Sequence, residues 1–278
     1  MEFRFVKYIY LNINMNEITI GYLSWKRRNI LEQTLQSHQE NGLFDIIKPQ
    51  NRIIFFQEIS QQDINIAKKY ELNILGNEEN IGILNAFIEL VKNCKTKYFI
   101  FCENDFLLLK HDYEISKTLH DVCTILENNP YSQIKLSNIK NPGFLYIKGG
   151  TEWLKQDQSN FVFKVESLSW IPNPKDFYPN ANIFNYNYEW FQFKSQDQRW
   201  SNHIYACNTN YLKEIVLPLL IHNRDTNKKL DTKYQGLEDT LNFTDKIPNQ
   251  TEYIKNLIVE HNMRKIYSGG GNFFHNKK

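Results

Sequence analysis

The stretch Lys97–Leu109, "KYFIFCENDFLLL", places runs of aromatic and aliphatic residues on either side of a polar Glu-Asn-Asp triplet. The first of these runs has the length and composition of a buried strand. Strand-like and helix-like segments alternate along the sequence before it, beginning with "EITIGYL" at 17–23 and "RIIFFQEI" at 52–59. This alternation predicts an α/β fold with a mostly parallel central sheet that helices cover on both faces.

Apolar residues at helical spacing follow these strands. They predict helices at 27–41, 61–71 and 82–94, and a further short strand is expected at 72–75. The second half differs in character, because residues 141–200 are crowded with Trp, Tyr, Phe, Asn and Pro and predict loops and short strands. Beyond them we expect a strand turning into a helix at 203–223, a helix opening at 236–247, and a helix or strand at 251–262.

The length of 278 residues suits one large domain or two closely merged lobes, and we place the boundary between the lobes near residues 141–142. The net charge is +2 and no dense basic stripe occurs, so nucleic acid is not an expected partner. No apolar run approaches the roughly 20 residues that span a bilayer, and the N-terminus lacks the apolar region of a signal peptide. The four cysteines show no zinc-ligand spacing, and Cys102 lies within an apolar strand, where a buried free thiol is expected. Free thiols favour a reducing compartment, and the cytoplasm is the expected location.

Glu103, Asn104 and Asp105 follow directly after the apolar strand. In open α/β sheets, ligands bind outside the carboxyl ends of the strands. Two carboxylates one residue apart at such an end can hold a hard divalent cation, or they can accept hydrogen bonds from a sugar. The alternative interpretation of the triplet is a polar turn between two apolar segments.

Five stretches in this order resemble the GT-A glycosyltransferases, in particular family 2 and its relatives. They are "ITIGYLSWKRRNILEQTLQS" (18–37), "NEENIG" (77–82), "FIFCENDFLLL" (99–109), "GLEDTL" (236–241) and "GGGNFFH" (269–275). Three departures stand out. Lys26 replaces the asparagine of the family's Asn-Arg pair, and Glu103 replaces the first aspartate of its Asp-x-Asp motif. The segment 199–212 lacks the glycines of the usual acceptor loop.

The resemblance implies a single GT-A domain. About 16–140 would bind the nucleotide sugar, and about 141–278 would form a smaller mixed lobe for the acceptor together with a C-terminal lid. It implies a metal-dependent, inverting transfer from a UDP-sugar to a hydroxyl on a glycan, protein or lipid. Mn²⁺ or Mg²⁺ would be held by Asp105 and His275, with Glu103 as a less direct ligand. Three glycines and two phenylalanines before His275 predict a flexible segment that could fold over the donor.

The resemblance also suggests roles for other polar residues. Expected donor contacts come from Ser24, Arg27, Glu58, Asn80, Glu103 and Asn104. Asp239 would be the general base, with Glu238 orienting the acceptor. Simpler roles remain open: helix capping for Ser24 and Asn80, solvated charge for Arg27 and Glu58, and a favourable helix-dipole contact for the Glu-Asp pair. Trp170, Trp190 and Trp200 are candidates for an acceptor groove, although most aromatic residues of that segment are expected to be core.

Two rival functions share parts of this pattern. One is a degenerate GT-A domain that binds carbohydrate or a partner protein without turnover, which the Glu103 substitution and the absent glycine loop keep open. The other is a sugar-phosphate nucleotidyltransferase, which would be expected to carry a glycine-rich basic loop after the first strand. The corresponding "GYLSWKRRN" (21–29) is basic but not glycine-rich.

Overall fold

The computed structural model describes residues 15–109, 112–137, 175, 182–198, 200–227 and 236–276. Its strands are β1 (Ile18–Trp25), β2 (Arg52–Gln57), β3 (Asn73–Asn77), β4 (Tyr98–Glu103), β5 (Phe106–Leu108), β6 (Ser132–Ser137), β7 (Ile183–Asn185), β8 (Phe191–Lys194), β9 (Tyr205–Asn208) and β10 (Lys265–His275). Its helices are α1 (Arg28–Glu40), α2 (Leu43–Ile46), α3 (Gln61–Lys69), α4 (Gly82–Asn93), α5 (Asp112–Asn128), α6 (Leu217–Thr226), α7 (Leu237–Asn242) and α8 (Glu252–Asn262). A helical turn at Thr209–Tyr211 and a π-helix at Leu212–Val216 lead into α6.

The described strands form one sheet in the order β3-β2-β1-β4-β9-β6-β10-β8-β7, and β5 pairs with β10. The first four strands in this order are mutually parallel. β9 is antiparallel to both of its neighbours, whereas β6 and β10 run parallel to each other. The predicted α/β fold with a largely parallel sheet is therefore confirmed.

Side-chain alternation along β1 shows how the sheet separates two apolar layers. Ile18, Ile20 and Tyr22 pack into the layer beneath α1, α3 and α5. Leu23 points to the opposite layer, which α4, α6, α7 and α8 cover. Successive side chains of a strand alternate between faces, so one strand contributes to both layers. Helices therefore lie on both faces of the sheet, as predicted.

The predicted helices and strands of the first half are confirmed, with boundaries within a few residues. Helix α1 buries Leu31 and Leu35, and Gly42 follows it with a positive φ of 80°. The segment 203–223 turns from strand into helix, and 251–262 is a helix. The expected boundary near residues 141–142 lies outside the described residues, as does Trp170.

The expectation of a flexible glycine-rich terminus is wrong. Residues Lys265–His275 form β10, which pairs with β6, β8 and β5, and Phe273 is completely buried. The glycines permit close backbone approach. A Cβ atom on Gly271 would lie 1.9 Å from the carbonyl oxygen of Leu136, and Gly269 has a φ of 133°. A role of this terminus in closing over a donor stays a prediction.

Two tryptophans proposed as groove residues belong to the core. Trp190 and Trp200 are each 1% exposed, and the indole nitrogen of Trp190 donates to the Asp121 carboxylate. The large ring area therefore stabilises packing at these positions. Among the described helices, none combines the length and the apolar character needed to cross a membrane.

Candidate active site

The parallel strands β1 to β4 all end at one edge of the sheet, and polar residues follow each of them. These residues are Lys26 and Arg27 after β1, Glu58 after β2, residues 78–80 after β3, and Asn104 and Asp105 after β4. The carboxyl edge of a parallel sheet is where α/β proteins place ligands. The sequence-predicted site residues of the first half therefore share one edge.

Asp105 is more enclosed than Lys26, Arg27 and Glu58, with its side chain only 7% exposed. Its Oδ2 atom lies 3.2 Å from His275 Nε2 and 3.3 Å from Arg27 Nη1. Its Oδ1 atom is buried and has no hydrogen-bond partner, and the same is true of His275 Nδ1. Buried polar atoms are rarely left without partners unless a ligand or water completes them.

The pairing of β10 with β5 explains how residues 170 positions apart meet. His275 lies opposite Phe106 in the antiparallel register, and the two rings stack with centroids 4.6 Å apart. The Asn276 amide donates to the carbonyl oxygen of Asp105 across a distance of 2.6 Å. The His203 ring lies 5.3 Å from the His275 ring and forms another wall of the site.

The Asp105–His275 pair fits a divalent cation. Two ligands on adjacent corners of an octahedron with bonds of about 2.1 Å lie about 3.0 Å apart, close to the observed 3.2 Å. The unsatisfied Oδ1 atom supplies a free carboxylate oxygen. In the described part of the chain, no three His, Cys, Asp or Glu side chains converge as a metal site. The predicted ligand role of Glu103 stays a prediction. Further ligands would have to come from substrate and water.

Asn104 and Ser24 lie side by side at the ends of the neighbouring strands β4 and β1. Both side chains are buried, and the Asn104 amide lies 3.5 Å from the Ser24 hydroxyl. Ser24 is therefore within a strand and does not cap α1, which begins after Arg27 without a side-chain cap. The predicted donor contacts of these two residues stay predictions.

Trp25, Lys26 and Glu58 form a cluster on the surface beside them. The Glu58 carboxylate accepts from Lys26 Nζ at 2.6 Å and from Trp25 Nε1 at 3.1 Å. These hydrogen bonds, the one from Lys26 foremost, hold the pKa of Glu58 below its ordinary value. Lys26 and Glu58 both have positive φ angles, 57° and 51°, which are uncommon for residues other than glycine and concentrate at functional sites.

Trp25 lies beside the candidate site, and the sequence motifs did not point to it. Its side chain is 49% exposed although it directly follows a buried strand segment. A large aromatic residue at the end of the first strand was the available signal. The positive φ of Lys26, which directly follows Trp25, cannot be read from the sequence.

Asn80 lies in the exposed loop between β3 and α4. Its side-chain oxygen accepts from the backbone amide of Gly82 at 2.9 Å, an arrangement that closes the turn into α4. Nearby, the Gln57 side chain at the end of β2 accepts from the Ile81 amide. The structure thus gives Asn80 a local turn contact, and its predicted donor contact stays a prediction.

Glu238 and Asp239 lie in the first turn of α7 but have different surroundings. Glu238 accepts a hydrogen bond from the Asn202 amide, next to His203 at the candidate metal site. Asp239 is exposed and lines a pocket of about 270 Å³ with Asn223, Asn227, Thr240, Phe243, Lys246 and Ile247. The Glu238 carboxylate is therefore bonded to the segment that carries His203, whereas the Asp239 carboxylate faces a pocket lined by residues of α6, of α7 and of the segment after α7.

No protein-family model matches the sequence, and no curated protein matches it. Among solved structures, S. aureus TarS 1–349 in complex with UDP is similar over 94% of this chain and 60% of that chain, with 12% identity and a TM-score of 0.50. The mannosyltransferase PcManGT from Pyrobaculum calidifontis, in complex with GDP-Man and Mn²⁺, is similar over 82% of this chain and 51% of that chain, with 10% identity and a TM-score of 0.45.

The similarity to the TarS structure extends over nearly the whole of this chain. The chain has a GT-A-type α/β fold, as the sequence motifs predicted. It spans less than two thirds of the length of either solved structure.

Proposed function

We propose that the chain is a metal-dependent glycosyltransferase that moves a sugar from a nucleotide sugar, most simply a UDP-sugar, to a hydroxyl acceptor. The observation that carries the proposal is the buried Asp105–His275 pair with its unsatisfied oxygen at the carboxyl edge of the parallel sheet. The GT-A-type fold supports glycosyl transfer as the class of reaction, and a UDP complex of a structure with this fold supports the nucleotide.

Transfer leaves a nucleoside diphosphate that carries additional negative charge. The Asp105 carboxylate and the His275 imidazole would hold Mn²⁺ or Mg²⁺, whose positive charge stabilises this leaving group. Arg27 lies 3.3 Å from Asp105 while its side chain is 59% exposed, so its guanidinium can turn to a phosphate oxygen. These residues would give the diphosphate its binding site.

The nucleoside would bind beside the diphosphate, over the cluster at the ends of β1 and β2. Trp25 offers a half-exposed ring on which a base can stack, and Glu58 offers carboxylate oxygens for ribose hydroxyls. Ser24, Asn80, Glu103 and Asn104 complete the proposed donor contacts. The acceptor would be a hydroxyl on a glycan, protein or lipid.

An acceptor hydroxyl is a weak nucleophile near neutral pH, so inversion at the anomeric carbon requires a positioned base. We assign this role to Asp239, with Glu238 orienting the acceptor. The pocket at Asp239 contains amides, a hydroxyl and the Phe243 ring, a set of groups suited to sugar recognition. Both carboxylates lie in the first turn of α7, where the helix dipole also favours them.

Calorimetry of UDP binding, once with Mn²⁺ and once with EDTA, tests the metal site directly. We expect markedly tighter binding with Mn²⁺ in the wild type and loss of this gain in Asp105→Ala. Asp45→Ala, an exposed acidic residue on α2, is the matched control and should retain the gain. Equal affinity under both conditions in the wild type would refute the proposed metal site.

Turnover across a panel of nucleotide sugars separates the rival functions. A glycosyltransferase should release UDP from a UDP-sugar in the presence of Mn²⁺. Binding without release in every case would favour a degenerate domain, and formation of a nucleotide sugar from a sugar phosphate would favour a nucleotidyltransferase.

A further inference from the structure

Strand β5 carries the backbone that leads out of Asp105, and it pairs with a strand on one side only within the described chain. In and around β5, the backbone groups of the odd-numbered residues face β10. The Asp105 carbonyl accepts from the Asn276 amide, and the Leu109 amide donates to the Asn272 carbonyl at 3.0 Å. The even-numbered residues face the other way, because backbone groups alternate along a strand. Their backbone groups need partners that are not another strand.

Helix α1 supplies these partners from one polar face, which consists of Thr34, Ser37, His38 and Asn41. The Thr34 hydroxyl donates to the Asn104 carbonyl at 2.9 Å, and His38 Nε2 lies 2.9 Å from the Phe106 carbonyl oxygen. The Leu108 amide donates to Ser37 Oγ, and Asn41 Nδ2 donates to the Leu108 carbonyl, both at 3.0 Å.

The spacing of these four residues is i, i+3, i+4 and i+7, which places them on one side of a helix. Their bonds follow residues 104, 106 and 108 in succession, so the polar face of α1 takes the place of a neighbouring strand. Side-chain hydrogen bonds to a strand backbone in this register fix its position along the helix as well as its distance from it.

His38 is the member of this face that makes hydrogen bonds through two different side-chain atoms. It is completely buried, and its Nδ1 atom lies 2.6 Å from the Tyr22 hydroxyl. A carbonyl oxygen only accepts, so Nε2 carries the proton and donates to Phe106, while Nδ1 accepts from Tyr22. The His38 ring also meets Phe273 edge-on, with centroids 5.4 Å apart. His38 therefore contacts both strands that carry the Asp105–His275 pair.

We propose that the polar face of α1 positions Asp105 against His275, and that His38 is its principal positioning residue. The functional part of this proposal rests on the metal site proposed above. The geometric part, a strand held by a helix face, does not depend on it. His38 touches neither side chain of the pair and acts through the backbone of Phe106 and the ring of Phe273.

Two substitutions at position 38 distinguish the hydrogen bond to the Phe106 carbonyl from simple packing of the His38 ring. The amide nitrogen of glutamine reaches about as far as Nε2 and can still donate to Phe106, whereas that of asparagine is too short. We therefore expect His38→Asn to reduce the Mn²⁺-dependent gain in UDP affinity by about 10–100-fold, the usual cost of losing a residue that orients a metal ligand. Hydrogen exchange of residues 104–109 in the metal-free protein should also become faster. His38→Gln should stay close to the wild type in both measurements.

His261 offers the matched control, because it is equally buried and also bonds a tyrosine hydroxyl, that of Tyr211. His261→Asn should lower stability while leaving exchange at residues 104–109 and the Mn²⁺ gain unchanged. If His38→Asn does not fold, the Ser37→Ala/Asn41→Ala double variant should show faster exchange at residues 106–109, with Gln36→Ala as its outward-facing control.

Unchanged exchange in a folded His38→Asn protein would overturn the proposal, as would equal losses in His38→Gln and His38→Asn. A wild type without any Mn²⁺ gain would refute the metal site, and the exchange measurement would still decide whether α1 positions the strand.

Discussion

At the scale of single residues, the two oxygens of Asp105 have unequal surroundings. Oδ2 is shared by His275 and Arg27, whereas Oδ1 is buried without a hydrogen bond. Leaving a buried charged group partly unsatisfied costs free energy that a cation would recover. The unequal surroundings of the two oxygens therefore support the metal site proposed above.

Substitutions of the two acidic residues of α7 distinguish a catalytic role of these carboxylates from a purely structural one. If Asp239 deprotonates the acceptor, Asp239→Asn should slow transfer by roughly 10²–10⁴-fold, since asparagine cannot accept the proton. UDP affinity should barely change, because the proposed donor site lies on β1 to β4. Transfer rate and UDP affinity should be measured together. A near wild-type rate in Asp239→Asn would exclude it as the base.

Glu238→Gln is the companion variant, because Glu238 accepts from the Asn202 amide beside the candidate metal site. Glutamine keeps an oxygen that can accept the same bond, so we expect a smaller loss of rate than in Asp239→Asn. Inactivation of Glu238→Gln alone would move the base role to Glu238, which the geometry near His203 would then explain.

The burial of His38 predicts that the free energy of unfolding decreases in acid. Burial lowers its pKa from the ordinary 6.5 to about 4, with the bond to Phe106 opposing that effect. Between these values the unfolded chain binds a proton that the folded chain does not, so stability falls as the pH falls from about 6.5 to about 4. The difference corresponds to about 3 kcal/mol of unfolding free energy.

Urea denaturation of the wild type and His38→Gln at pH 7 and pH 4.5 isolates this contribution, because all other titrating groups are common to both proteins. We expect the stability advantage of the wild type over His38→Gln to shrink by about 2–3 kcal/mol at the lower pH. An advantage independent of pH would mean that His38 is not neutral and buried in the folded state.

At the scale of elements, β10 shows why a glycine triplet can be misinterpreted. A glycine-rich sequence is expected both for a flexible segment and for a closely packed strand. The packing partners that distinguish the two cases lie far away in the sequence. Leu136 and Glu189 approach Gly271 and Gly269 so closely that a Cβ atom would lie 1.9 and 2.4 Å from their carbonyl oxygens. No local pattern contains that information.

Gly271→Ala tests this requirement. The methyl group would meet backbone rather than a movable side chain, so we expect a loss of about 1–3 kcal/mol in unfolding free energy, or more. Gly236→Ala is a suitable control, because its nearest neighbour would be the Asp239 carboxylate at 3.4 Å and its φ is −66°. Thermal or urea unfolding decides the question, and equal stability of the two variants would contradict the packing role.

The predictable parts of the molecule are those with local periodicity. Helices α1, α3 and α4 follow from apolar residues at helical spacing, and β1, β2 and β4 follow from runs of branched and aromatic residues. The residues of the Asp105–His275 pair were predicted from motif resemblance. The contact between Asp105 and His275 and the register of β5 on β10 required the structure, since both depend on residues distant in sequence. The position of Trp25 required it as well, because its partner Glu58 lies 33 residues away.

At the scale of the whole molecule, the two halves of the chain are interleaved in one sheet. β9 lies between β4 and β6, and β10 lies between β6 and β8. Consequently β6 pairs only with β9 and β10, and β5 pairs only with β10 among the described strands. The apolar layers are shared as well, because Phe101 of β4 packs against Tyr205 of β9 with ring centroids 5.4 Å apart.

This interleaving predicts that the first half of the chain, residues 1–140, cannot fold alone. A fragment of residues 1–140 would retain β1 to β6, but β5 and β6 would have no strand partners and the layer beside β4 would lose Tyr205 and α6 to α8. Unpaired backbone groups and exposed apolar surface both oppose folding. We therefore expect poor dispersion in the amide proton spectrum of this fragment and no measurable UDP binding.

Co-expression with residues 141–278 should restore a dispersed spectrum and UDP binding, since the missing strands then become available. A fragment that alone gave a dispersed spectrum and bound UDP would show that the first half is an autonomous unit, with β9 and β10 as additions to an already stable sheet.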